Sequence, residues 1–168
     1  MSRPQKPQSV EPDLETRIDQ MLTEARVILP GAQALLGFQL TIVLTKVFSE
    51  LPDSSKVVHA GALGCIALAV VLLMTPAAYH RLVYGGEDNE DMVRTGTRLI
   101  TTATVPLALG LAADVYVTAT QIAGSSSVGF SAAVVALATL VGLWHVYPFM
   151  ARRKFARDVK PSPSALRT

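Results

Sequence analysis

The chain predicts an all-α fold: an integral membrane four-helix bundle of two antiparallel hairpins, N-in/C-in, preceded by an amphipathic N-terminal cytoplasmic helix. Three observations predict it. Half of the 168 residues are hydrophobic and 17% are charged, against about 25% in an ordinary soluble domain. Of the 15 basic and 13 acidic residues, all but Asp114 fall outside four long apolar stretches. The basic residues are also polarised along the chain, as positive-inside topology requires. Such segregation excludes an evenly solvated soluble enzyme.

Residues 1–12 are rich in Pro, Gln and Ser and read as a disordered tail. The first 26 residues are polar, hold five carboxylates and lack an apolar core followed by a small-residue cleavage site, so no cleavable signal peptide is expected and the first span must direct insertion. Over 13–26, Leu14, Ile18, Met21, Leu22 and Ala25 recur at helical spacing beside Glu15, Arg17, Asp19, Gln20 and Glu24, with Pro12 and Asp13 placed to start the helix. Its acidic polar face favours packing beneath the bundle over lying on anionic headgroups.

A helix rises 1.5 Å per residue and the hydrocarbon core is about 30 Å thick, so about 20 residues cross it. Val27 to Thr45 is an uncharged run of 19 residues and supports a span over about 27–48. Val57 to His80, with 24, supports a span over 57–80. The turn-like Gly124-Ser125-Ser126-Ser127 separates spans over about 99–122 and 128–150. The third contains Pro106, five threonines and Asp114, and charge topology supports it. With four spans, the side holding both termini carries 4, 3 and 6 Lys or Arg in its three segments, and the other side carries only Lys46 and Lys56. Residues 152–168 form a basic, partly disordered tail.

Within the transmembrane domain, 27–151, small residues such as Gly31, Gly61, Gly64 and Gly110 permit close helix approach. Cys65 reads as a small packing residue. Trp144, Tyr147 and Tyr79, with Arg81, Arg152 and Arg153, read as membrane-interface anchors.

Asp114 is the one formal charge inside a span, and a carboxylate at the bilayer centre costs about 2.5–3.5 kcal/mol on insertion scales. It must face protein or water. Counting rise places Gln39 and the pair Gly64-Cys65 in its layer, with Tyr116 a half-turn away. Gln39 is the expected partner. Asp114, Gln39 and Tyr116 form a candidate ion or proton site; the other reading of Asp114 is a hydrogen-bonded helix-association residue. Gln33, Thr75, Thr102 and His145 fall at similar depth toward the cytoplasm as a second polar layer. His59 and His80 fall at opposite span ends and cannot share a metal. The acidic run from Gly85 to Asp91 lacks the ligand spacing of a calcium loop. No nucleotide-binding glycine motif and no nucleophile–base pair is present, so neither enzyme activity nor cofactor nor metal is expected. The basic residues point to anionic lipid at the cytoplasmic face rather than to nucleic acid.

Three stretches carry a resemblance over roughly residues 13 to 150: Thr23 to Gln39, reading TEARVILPGAQALLGFQ; Pro76 to Arg81, reading PAAYHR; and Asp114-Val115-Tyr116. They resemble an uncharacterised family of small bacterial four-span inner-membrane proteins, some of whose relatives carry a sodium/proton antiporter label. The resemblance implies a bacterial plasma membrane and draws attention to Glu24, Arg26, Gln33, Gln39, Tyr79, His80, Arg81 and Asp114. It brings no catalytic residues. Two functions are compatible with the chain: an oligomeric proton- or cation-linked transporter-like protein using Asp114, or a non-transporting scaffold or accessory subunit that engages an unidentified membrane partner.

Overall fold

The computed structural model describes residues 13–83 and 89–158, and the regular structure among them is helical throughout. Helix α1 spans Leu14–Val43, α2 is the short Lys46–Ser49, α3 spans Asp53–Val83 and α4 spans Glu90–Ala123. A last long helix comprises α5, Ser126–Val141, a π turn at Gly142–Val146, and α6, Tyr147–Asp158. The tail 1–12, most of the acidic run and residues 159–168 lie outside the described residues.

Helix α1 begins where Asp13 accepts a hydrogen bond from the Thr16 backbone N–H at 3.0 Å, which satisfies one of the orphan donors of the first turn. The amphipathic segment and the first apolar segment run on as one helix. Ile18, Ala25, Ala32 and Gln39 are buried seven residues apart, so a single heptad-like seam continues from one into the other. The helix stops at Val43, short of the expected 48, because Thr45 turns out of line and accepts from the Phe48 N–H to cap α2. Helix α3 buries Ser55, His59, Ala62, Ile66, Ala69, Leu73 and Pro76 at alternating spacings of four and three, and α4 continues the same pattern through Ala103, Leu107 and Gly110.

The helix pairs α1–α3 and α4–α5 pack side by side and meet through α3 and α4, with α1 also reaching α4. The most extensive packing is between α3 and α4; α1 lies against both, and α5 packs on α4. The reason lies in the residues at each contact. Ala62, Ala69, Ala103 and Gly110 let α3 and α4 approach closely, and a Cβ on Gly110 would meet the Ile66 side chain and the Ala62 carbonyl. Gly31, Gly37, Gly61 and Gly64 face open space instead. On α5 the one buried residue is Gly129, set against Thr120 and the Tyr116 carbonyl of α4.

Contacts between distant residues give the helix directions. Arg17–Glu90, Met21–Gly96 and Gln39–Asp114 run α1 parallel to α4. His59–Asp114 and Ile66–Gly110 run α3 antiparallel to it. The turn into α5 rests on Gly124, whose φ of 62° lies in the left-handed region that a Cβ disfavours.

Outside the core, Val27, Phe38, Val57, Leu68, Val135 and Phe149 are exposed. Apolar patches of this extent are not left to water. Four helices, Leu14–Val43, Asp53–Val83, Glu90–Ala123 and Ser126–Phe155, are long and apolar enough to cross a membrane, and their outward faces suit lipid.

Candidate polar site between the first three long helices

Gln39, His59 and Asp114 meet because each occupies the inward seam of its own helix. Gln39 ends the heptad series of α1, and Asp114 lies four residues beyond Gly110 on the face of α4 that packs on α3. His59 follows Ser55 and precedes Ala62 on the buried face of α3. Gln39 Nε2 donates to both carboxylate oxygens of Asp114, at 2.9 Å to Oδ1 and 2.8 Å to Oδ2. The Gln39 backbone carbonyl oxygen lies 3.2 Å from His59 Nε2, and His59 Nδ1 is 3.8 Å from Asp114 Oδ1. Phe48 of α2 stands edge-on to the imidazole, with ring centroids 5.2 Å apart.

These contacts constrain where protons sit. A carbonyl only accepts, so His59 Nε2 is the protonated nitrogen of that contact. In a neutral ring, Nδ1 is then a bare lone pair aimed at the carboxylate. One additional proton resolves the conflict, as an imidazolium beside a carboxylate or a neutral imidazole beside a carboxylic acid. Gln39 Oε1 is buried and without a hydrogen-bond partner, which adds a further unused acceptor to the cluster.

The cluster is not sealed. His59 is 7% exposed in its side chain and Asp114 is 26% exposed. Asp114 opens onto a pocket of about 180 Å³ between α1 and α4, walled by Leu35, Phe38 and Ile42. At ~30 Å³ per water molecule, the pocket has room for several waters or a partly hydrated monovalent cation.

The other residues singled out in the sequence are distributed differently. Tyr116 lines a separate apolar pocket with Phe130 and Leu137 on the α5 side, since two residues along a helix turn the side chain by about 200°. Gln33 and Thr102 are exposed, and the Thr75 hydroxyl donates to the Val71 carbonyl of its own helix. His145, in the π turn, pairs its Nε2 with the Thr104 hydroxyl at 3.2 Å. Among the described residues no hydrogen bond joins any two of Gln33, Thr75, Thr102 and His145, and His145 meets Thr104 of α4 instead. Trp144, Tyr147, Arg81, Arg152 and Arg153 are exposed and Tyr79 is half-buried, with the Arg153 guanidinium 4.2 Å from the Phe149 ring centroid. Among the described residues no group of three or more His, Cys, Asp or Glu is placed to hold a metal ion.

His59 is the member that counting along the spans misses. Gly64 and Cys65 were expected at this depth. The structure puts His59 there because α1 ends at Val43 and α3 starts at Asp53, so the layer lies closer to the helix ends than span counting implies. The four–three spacing of Ser55, His59, Ala62 and Ile66 is the signal that identifies it.

No curated protein and no solved structure matches the chain. One family model does, and it covers residues 9–148, from before the cap of α1 to the first turn of α6. The chain thus belongs to the Family of unknown function (DUF6328).

Proposed function

We propose that this is a proton- or cation-linked transporter-like membrane protein, acting as an oligomer, in which Asp114 carries the exchangeable proton or ion. The observation that supports this most directly is the Gln39–His59–Asp114 cluster. It sets a carboxylate and an imidazole face to face inside membrane-spanning helices, with an unused acceptor on Gln39 and an opening to a small pocket. An intramembrane carboxylate is expensive to maintain and marks ion pathways by default. A cation entering the pocket would compete with the extra proton for the same oxygens. Four spans make a thin bundle, so a continuous path would draw on further copies.

The reading includes a bacterial plasma membrane with both termini in the cytoplasm, supported by the 13 to 2 division of basic residues. It also includes anionic lipid at that face and a non-enzymatic role. A second reading, a scaffold or accessory subunit, is favoured by the fourth long helix, whose apolar window is only 6% buried. In that reading Gln39 and Asp114 fasten α1 to α4.

The experiment is pH-gradient flux in proteoliposomes, with and without sodium, comparing the wild type with Asp114→Asn. Sodium-dependent proton movement in the wild type, lost in the variant, is the expected result. Absence of flux from folded, correctly oriented protein would transfer the assignment to the scaffold reading.

A further inference from the structure

Arg26 and Arg81 fall toward the same end of the α1–α3 pair and line one pocket. Arg26 immediately precedes the uncharged run Val27 to Thr45, and Arg81 immediately follows the uncharged run Val57 to His80. Gln39 of α1 meets His59 of α3, near the end of one helix and the start of the other. These helices therefore run antiparallel, and both arginines fall at the opposite end of the pair. Together they line one pocket of about 650 Å³, whose apolar wall includes Met74, Ala77 and Leu82. By helical rise Arg26 is about 20 Å along α1 from Gln39, so this pocket is separate from the polar cluster.

Three features show what the pocket is built to take. Both arginines are exposed, and neither has a carboxylate partner among the described residues. His80, in the same lining, holds a buried Nε2 without a hydrogen-bond partner among the described residues. The remaining wall is aliphatic, which suits neither a free nucleotide nor an acidic peptide chain. Guanidinium groups bind phosphate oxygens through paired N–H donors, and basic pockets between membrane helices accept anionic lipid headgroups.

We propose that this pocket is a binding site for one anionic phospholipid, its phosphate held by Arg26 and Arg81, and its glycerol and upper acyl carbons laid against Met74, Ala77 and Leu82. The site stands independently of the ion-exchange reading, because it needs only that α1 and α3 cross a membrane.

The test uses the full chain, delipidated in neutral detergent. Phosphatidylglycerol, phosphatidylcholine and inorganic phosphate are added in turn, and bound lipid is counted by native mass spectrometry. The wild type is expected to retain phosphatidylglycerol in preference to phosphatidylcholine. The double variant Arg26→Gln/Arg81→Gln is expected to lose that binding by about tenfold or more, as removal of charge-assisted hydrogen bonds implies. The charge-matched Lys46→Gln/Lys56→Gln, on the other side of the membrane, is expected to keep it. Equal losses in the two double variants would reduce the effect to net charge and overturn the site. Competition by inorganic phosphate as effective as by lipid would overturn the lipid assignment. Arg26→Lys/Arg81→Lys guards against loss of fold in the Gln variant: it keeps the charge without the planar fork and is expected to bind at an intermediate level. Wild-type affinity in the Lys variant together with full affinity in the Gln variant would refute the proposal.

Discussion

Gln39 on α1 holds both oxygens of Asp114 on α4 with one amide nitrogen, at 2.9 and 2.8 Å, across two helices that run parallel. Few other polar contacts join these helices; the Arg17–Glu90 pair near their beginnings is exposed, at 42% and 74% of side-chain surface, where an ion pair contributes about 0–1 kcal/mol. A double-mutant cycle with Gln39→Leu, Asp114→Leu and both together should give a coupling of about 0.6 to 1.7 kcal/mol, the range for polar contacts between membrane helices. Reversible unfolding in mixed micelles measures it. Additive effects would show that the contact does not fasten the helices.

The His59–Asp114 pair makes a separate prediction about protons. Nε2 faces the Gln39 carbonyl and Nδ1 lies 3.8 Å from Asp114 Oδ1, so the proposed proton site requires one proton on either the ring or the carboxylate. That proton should appear either as a carboxylic acid stretch in the infrared spectrum that Asp114→Asn removes, or as an imidazolium signal in ¹⁵N spectra that His59→Gln removes. If neither signature is present, the neutral ring faces an ionised carboxylate and the proposed proton site fails.

How much of this was legible in the sequence depends on which periodicity is followed. The four long apolar helices and the Gln39–Asp114 partnership follow from counting charges and helical rise. His59 does not, because its depth depends on where α1 stops, and that is decided by the Thr45 cap rather than by hydropathy. The heptad series Ile18, Ala25, Ala32, Gln39 was present in the sequence but hidden by dividing the segment at residue 26, where polar surroundings end but helix geometry does not. The π turn at Gly142–Val146 was also illegible. A π turn adds one residue to a helical turn, and no composition signal announces it; it changes where His145 faces, and so which threonine it meets.

Packing of α3 on α4 should be sensitive to added volume at one glycine and tolerant at another. Gly110→Val places a branched side chain against Ile66 and the Ala62 carbonyl, and overpacking of this kind costs about 1–3 kcal/mol. Gly61→Val meets open space and should change stability by less than about 0.5 kcal/mol, as exposed substitutions do. Equal effects in the same unfolding assay would mean that the α3–α4 contact differs from the one described.

The start of α1 should respond to acid. Hydrogen bonding from the Thr16 side chain, and then from its backbone N–H, holds the Asp13 carboxyl below the usual carboxylate range. A depressed acid stabilises the folded state fully above its unfolded pKa and loses that contribution as pH falls through the lower folded one. Amide exchange of the first turn of α1 should therefore be protected near neutral pH and accelerate selectively in that acid window. In Asp13→Ala the turn should exchange faster at neutral pH and show no such acid step. An unchanged step in the variant would assign the titration to another group.

Membrane topology provides the last prediction. The 13 basic residues assigned to one side and the two assigned to the other make opposite sides electrostatically unequal, and translocating the richer side is the disfavoured outcome. In a Cys65→Ser background, single cysteines introduced by Ser2→Cys and Ser164→Cys should resist impermeant thiol reagents in intact cells and react after permeabilisation. Ser126→Cys, at the start of α5 beside the Gly124 turn, should react in intact cells. Gly124 and Ser126 are exposed at the end of α4, so failure to label there cannot be attributed to burial within the chain. Labelling of both termini from outside with protection at Ser126→Cys would invert the topology and move the phospholipid pocket of Arg26 and Arg81 to the other leaflet, while leaving its internal geometry unchanged.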